Sequence, residues 1–425
     1  MQSKENARNS LCRTIARAAV TAAAIATAFA LTAVLAQTAQ AQTFKVIHTF
    51  TGGGDGANPY SGLTIDQAGN LYGTASLGGT SGNGTVFRLS KKGSGWVFTP
   101  LYSFQGLPDG GTPQARVVFG PDGILYGTTS FGGSCGGCGT VFTLRPYPTA
   151  CTTALCGWQE TVIYSFTGGS DGTNPATGDL IFDQAGNLYG TTIGGGAYGY
   201  GTVFELVPSR GGWTEKVLYS FTGGNDGSQP FAGVIFDKAG NLYGTTVYAG
   251  SGDWGTVYKL TPSGSGWLGS AIYAFQNGSD GREAFGGLLF DQSGNLYGTD
   301  WWGGQHDSGT VFNLALSNGN WTFSVVYSFS AYGARGPAAS LVMDGTGNIY
   351  GTTVNDGHGS YGSGNVFKLI LAGGSWTYTS LYDFTGGEDG SEPLCSVIFD
   401  ANGNLYGTTY YGGVNDNGVV WEITP

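Results

Sequence analysis

The sequence predicts an all-β fold of tandem repeats closed into a ring, and three observations carry the prediction. The tetrapeptide Leu71-Tyr72-Gly73-Thr74 returns at Leu125, Leu188, Leu242, Leu296, Ile349 and Leu405, at spacings of 54, 63, 54, 54, 53 and 56 residues. A fixed period of this length marks a repeat architecture. Each repeat holds four short stretches of strand character separated by Gly-rich turns,. The two ends of the repeat region are out of phase. It opens with Lys45-Val46-Ile47-His48-Thr49-Phe50, which matches the fourth strand of a repeat, and closes on Val419-Val420-Trp421-Glu422-Ile423, which matches the third. The last repeat must therefore borrow its fourth strand from the N-terminus. An open solenoid would instead carry distinct polar caps. Radially repeated four-stranded units are blades. The predicted fold is a seven-bladed β-propeller with four strands per blade, closed by the N-terminal strand pairing into the last blade.

Blade four shows the elements in order. Gly233-Val234-Ile235-Phe236-Asp237 is a near-continuous apolar run, suited to a strand buried on both faces (strand A),. Lys238-Ala239-Gly240 turns the chain, and Asn241 to Thr246 returns as strand B. A Gly-rich loop leads to strand C, Gly255 to Leu260. Trp267 opens strand D, which ends at Ile272-Tyr273-Ala274-Phe275. Composition agrees: 11% charged residues, 79 Gly and 14% aromatic residues fit many short strands and exclude a disordered polyampholyte or a helical bundle,.

Residues 1–41 read as a secretory signal peptide, leaving 42–425 as a single propeller domain. Lys4, Arg8, Arg13 and Arg17 form a basic front, an Ala-rich apolar run extends from Ala18 to Ala36, and Ala39-Gln40-Ala41 offers the small residues a signal peptidase accepts,. Cleavage is expected before Gln42. An uncleaved anchor is the alternative, since ~19 apolar residues approach a bilayer span. Cys12 lies in the basic front, which argues against a lipoprotein. Of 17 bases and 28 acids in the full chain, 13 and 27 remain after cleavage, a net charge of −14. Such a surface repels phosphate backbones and anionic lipid, so nucleic acid is not an expected partner. No second apolar segment follows, and a monomer is expected.

The unit Phe182-Asp183-Gln184-Ala185-Gly186-Asn187-Leu188-Tyr189-Gly190-Thr191 resembles the strand pair of NHL-type propellers. The whole repeat, with Tyr-Ser-Phe-Thr-Gly-Gly-x-Asp-Gly before it and Gly-Thr-Val-Phe after it, is similar to the GloVer tandem-repeat family of bacterial exported proteins, over essentially all of 43–425. The resemblance implies an extracellular or envelope location and no established activity. Members of that family often end in a sorting or anchoring segment, and Glu422-Ile423-Thr424-Pro425 does not resemble one.

Recurring polar residues read first as architecture. Asp55, Asp171, Asp226, Asp280 and Asp389 sit in Gly-x-Asp-Gly loops between strands D and A, and Asp109 occupies a similar place. A ring of acids on one face could hold calcium. The competing reading is that Asp before Gly accepts backbone hydrogen bonds in a tight turn. Asp66, Asp183, Asp237, Asp291, Asp344 and Asp400 recur at the A–B turn, which in blade two is Gly120-Pro121-Asp122-Gly123. No other cofactor is expected. Cys135, Cys138, Cys151 and Cys156 all lie in the longest repeat, at spacings that resemble a zinc site. The first pair is in a B–C loop and the second in a C–D loop, at opposite ends of strand C. Two local disulfides are therefore expected in an exported protein. Cys395 is left over and is expected to be buried.

In a symmetric ring, function should show where one blade departs from the others. Six of the ten Trp, namely Trp96, Trp158, Trp213, Trp267, Trp321 and Trp376, open strand D, and Trp421 stands in strand C. The remaining Trp254, Trp301 and Trp302 lie in the B–C loops of blades four and five. Asp253, Asp300, His306 and Asp307 fall beside them. Asp356 and His358 are in the blade-six loop, and Arg282-Glu283 and Arg335 are in the loops entering blades five and six. Tyr198, Tyr200, Tyr248, Tyr361, Tyr410 and Tyr411 widen the aromatic character of that face. His48 replaces the strand D Tyr of other blades and is expected to pack.

One reading is a ligand site over blades four to six, with Trp rings stacking on sugars and Asp, His and Arg bonding the hydroxyls. The other is loop drift, in which aromatics merely cover the blade ends. Three functions follow. The first is a non-catalytic binding or scaffold propeller for glycans or a surface partner. The second is a hydrolase or lyase using His306 with His358, or Asp300 with Asp307 and Asp356, as acid and base. The third is a purely structural envelope component. Against catalysis, no nucleophile motif and no inward-facing carboxylate outside the repeated turns stands out.

Overall fold

The computed structural model describes residues 42–147, 157–175, 177–264, 266–330, 333–355 and 362–425. The expected signal peptide, Cys151, Cys156, Asp356, His358 and Tyr361 lie outside the described residues. The 28 strands form seven four-stranded antiparallel sheets, each ordered A, B, C, D. In blade four these are Ile235–Phe236, Leu242–Thr246, Thr256–Ser263 and Gly266–Ala274. The seventh sheet takes its outer strand from Thr43–Thr49, paired with Val419–Thr424. The chain is thus a seven-bladed β-propeller. No helix among the described residues is long and apolar enough to cross a membrane.

The core sits between blades, in seven apolar clusters that each join neighbouring sheets. Between blades three and four, Val203 and Phe221 meet Val234, Leu242, Tyr258 and Leu260. The tetrapeptide explains itself in this packing. Its Leu is buried. Its Gly leaves room for the aromatic of strand C, because a Cβ on Gly190 would lie 2.6 Å from the Phe204 ring. Its Thr donates across to the next blade: Thr74 Oγ1 to Ala115 O at 3.0 Å, Thr191 to Ala232 at 3.0 Å, and Thr408 of blade seven to Ser61 of blade one at 3.0 Å.

The N-terminal strand takes full part in the ring. Phe50 is fully buried like Phe104, Phe166, Phe221 and Phe275 at the ends of other D strands. Along the outer rim, a strand D aromatic stacks on a ring from the next blade: Tyr273 on Phe323 at 4.1 Å and Tyr327 on Tyr378 at 5.0 Å. Phe44 stacks on Tyr382 at 3.6 Å, and His48 on Phe98 at 3.9 Å. Both junctions flanking the closure therefore use residues from the first strand.

One expectation changes. Strand A of blade four pairs over only two residues, Ile235 and Phe236, and both are half-buried. The preceding Gly233-Val234 lines the central cavity instead of a ladder, so the apolar run marks the inner wall of the ring.

Candidate functional site

The D–A and B–C loops interleave on one face. Within a blade they pair through isolated bridges such as Ser228 with Tyr248, Arg282 with Trp302, and Arg335 with Asn355. Between blades, each D–A loop donates to the preceding B–C loop: Gln229 N to Tyr200 O at 2.9 Å, Glu283 N to Trp254 O at 3.1 Å, and Gly336 N to Ser308 O at 2.9 Å. This belt brings Trp254 of blade four against the loop entering blade five.

There the irregular residues form a cluster. The Arg282 guanidinium lies 5.4 Å from the Trp254 ring and 5.9 Å from the Trp302 ring. Its Nη1 is 2.8 Å from Asp307 Oδ1 and also reaches Asn277. The Arg282 side chain is only 18% exposed, whereas that of Asp307 is 61% exposed. Trp302 is 37% exposed. Asp307 has φ 51° and accepts from Gly303 N at 2.9 Å, so it also holds its own loop. Burial pushes the neighbouring Glu283 carboxyl up, Arg282 opposes the shift and Asp307 adds to it.

The other candidates separate from this cluster. Trp301 is half-buried and points inward, edge-to-face with Phe285 at 5.4 Å, and Phe285 meets Phe231 at 5.0 Å. Arg335 is half-buried and joined to Asn355 through backbone. His306 is exposed. Asp300 is fully buried: its Oδ2 accepts from Thr310 at 2.7 Å, where other blades pair two Thr hydroxyls, and its Oδ1 has no partner. Burial holds this carboxyl well above the usual carboxylate range despite the Thr310 bond, and Asp280 adds to the shift. The Asp300 side chain is sealed from solvent, so it is not placed to meet a ligand on this face.

The repeated aspartates are engaged internally. Asp171 accepts from Thr167 Oγ1 at 2.6 Å, Thr167 N at 2.8 Å and Tyr164 Oη at 3.0 Å. Asp66 accepts from Ala68 N, Asn70 N, Asn70 Nδ2 and Tyr72 Oη. His48 Nε2 stands 3.3 Å from Asp55, the place the Tyr hydroxyl takes elsewhere. Among the described residues no group of three His, Cys, Asp or Glu is arranged to hold a metal ion. Cys135 and Cys138 form a disulfide, and Cys395 is free and buried.

Two features were missed in the sequence. An inward-facing carboxylate does exist: Asp179 pairs with Arg116 on the wall of the central cavity, Oδ2 to Nη2 at 2.8 Å, and also accepts from Arg116 N at 3.1 Å. The signals were available. Arg116 stands where blades one and four have Gly62 and Gly233, and blade three carries one extra residue between Pro175 and Phe182. The second feature is on the rim. Glu160 and Glu215 face strand C in the register that Phe98, Phe323 and Tyr378 hold elsewhere. Burial, with Asp109 beside it, pushes the Glu160 carboxyl up to about 8. Burial and Asp171 push Glu215 up to about 7.

Fold and site together define a repeat propeller with an aromatic loop face and a charged inner wall. The chain belongs to the Gloeobacter/Verrucomicrobia repeat family, whose model matches residues 26–234, 149–289 and 233–425. No curated protein matches it in sequence. Among solved structures it is similar to PorZ, an essential bacterial surface component of the type-IX secretion system of Porphyromonas gingivalis. That match has 16% identity and TM-score 0.50, and covers 85% of this chain and 46% of PorZ. A protein from Lactobacillus plantarum matches at 13% identity and TM-score 0.50, over 80% of this chain and 87% of the other. A candidate 6-phosphogluconolactonase from Bacteroides uniformis matches at 17% identity and TM-score 0.49, over 82% and 89%. At these identities the likeness concerns the fold alone.

Proposed function

We propose that this chain is an exported, non-catalytic binding propeller that recognises glycans, free or on a surface partner, through the loop face of blades four and five. The observation that carries this reading is the Trp254–Arg282–Trp302–Asp307 cluster. Two indole rings from adjacent blades are held by one guanidinium, and Trp302 stays open to solvent. An ordered aromatic surface with its charges already paired suits a neutral ring that stacks and hydrogen-bonds. The signal-like N-terminus and the Cys135–Cys138 disulfide support an oxidising destination,. The burial of Asp300 weighs against acid–base chemistry on this face.

The test is glycan binding by the purified protein against Trp302→Ala, with melting as the fold control. Binding is expected to fall at least tenfold with melting unchanged. Unchanged binding would remove the site, and turnover of a bound glycan would replace it with an enzyme.

A further inference from the structure

We propose a second, independent binding site: the central cavity takes a small neutral polyol or sugar, held by the Arg116–Asp179 pair and packed against Tyr60, Phe231 and Phe285. The cavity measures about 300 Å³ and draws its lining from the inner wall of the ring. That volume lies at the lower end of the ~300–1,000 Å³ typical of small-molecule sites.

The ring's own repeat rule is broken at this wall. In other blades the tetrapeptide Thr donates to the inner backbone of the next blade, as Thr245 does to Gly286 O at 3.2 Å and Thr352 to Cys395 O at 2.9 Å. In blade two, facing the lengthened strand A approach of blade three, Thr128 Oγ1 is buried with no partner among the described residues. The same approach carries the extra residue and Asp179. Local rules broken in an otherwise consistent fold point to function.

The chemistry of the pair selects the ligand. Asp179 is fixed by two bonds from Arg116, one from its backbone and one from its guanidinium. Both side chains remain about a third exposed, at 32% and 31%. Together they present acceptor and donor groups side by side with no net charge. A hydroxyl can donate to the carboxylate while accepting from the guanidinium. A carboxylate placed on the guanidinium would stand beside the Asp179 carboxylate, and an ammonium placed on the carboxylate beside the Arg116 guanidinium, so either charged ligand meets a like charge,. Elsewhere on the cavity wall, Phe231 and Phe285 meet edge-to-face at 5.0 Å, and Tyr60 meets Tyr410 at 5.9 Å. An apolar ring face and a ring of hydroxyls match that division of the cavity.

The test is calorimetric titration of the purified protein with D-glucose, D-galactose and myo-inositol, alongside glucuronate and glucosamine. At least one neutral probe is expected to bind saturably, and the charged pair at least tenfold more weakly. Asp179→Asn and Arg116→Ala should each reduce neutral binding at least tenfold. Ala338→Trp, which adds an indole to the cavity wall from blade six, should abolish it. Trp302→Ala should leave it unchanged, which separates this site from the loop face. The proposal is overturned if no neutral probe binds, if charged probes bind as well, or if binding survives Ala338→Trp. Loss of binding in Trp302→Ala alone would assign the signal to the loop face.

Discussion

Ring closure by the N-terminal strand makes a quantitative prediction with an internal control. Phe50 enters from the start of the chain and Phe221 from the middle, yet their surroundings are equivalent. Both are fully buried. Phe50 N donates to Gly418 O at 3.1 Å, and Phe221 N to Gly201 O at 3.0 Å. Phe50 meets Phe87 edge-on at 5.3 Å and 67°, and Phe221 meets Tyr258 at 5.0 Å and 69°. Truncating a buried Phe to Ala costs about 3–5 kcal/mol, from lost transfer energy and the cavity left behind. Near ~2.1 cal/mol/K of unfolding entropy per residue, a domain of this size loses roughly 4–6 °C of Tm. Phe50→Ala and Phe221→Ala should therefore destabilise equally, within about 1 kcal/mol, by denaturant titration monitored through Trp fluorescence. If the first strand were a loosely attached appendage, Phe50→Ala would cost less than half as much as Phe221→Ala. That result would refute closure.

Three further predictions follow from single contacts. Burial, with Asp109 beside it, raises the Glu160 carboxyl to about 8 from 4.5, so the folded chain keeps a proton that the unfolded chain releases. Its stabilising contribution is full below about pH 4.5 and is lost as pH rises through about 8. Glu160→Gln should flatten the fall in Tm between about pH 5 and pH 8, and an unchanged slope would contradict the assignment,. Gly190→Ala should cost about 1–3 kcal/mol through overpacking on Phe204, while Gly211→Ala, with nothing within 4 Å of the added Cβ, should be nearly neutral. Denaturation midpoints that coincide would sink the packing account of the tetrapeptide. Arg282→Ala should cost about 1–2 kcal/mol by loosening two cation–π contacts and the Asp307 pair, with Arg282→Lys only partly restoring it. A wild-type midpoint for Arg282→Ala would mean that the cluster is not ordered in solution.

Fold and site differ in how far the sequence reveals them. The period of the Leu-Tyr-Gly-Thr unit exposes the blades because each residue has one packing task repeated around the ring. The unmatched strands Lys45–Phe50 and Val419–Ile423 expose closure because a ring cannot leave either one unpaired. Of the candidate site, sequence places Trp254, Arg282, Trp302 and Asp307 together, since loops of adjacent blades must interleave. It cannot separate Trp302, which faces solvent, from its neighbour Trp301, which turns toward Phe285, because that depends on side-chain direction within an irregular loop. Asp300 looks reactive in sequence only because its burial is invisible there. Arg116 and Asp179 lie 63 residues apart and meet only through the geometry of the inner wall. The insertion that carries Asp179 is hidden by the longer Cys-bearing insertion in the same interval.

The most direct test of the proposed role is a glycan-array screen of the purified protein, with and without calcium, run beside Trp302→Ala. Under that role, a reproducible hit that disappears in the variant while its melting curve stays native is expected. A blank array, or a hit indifferent to Trp302, would contradict it and return the aromatic loops to a covering role at the blade ends.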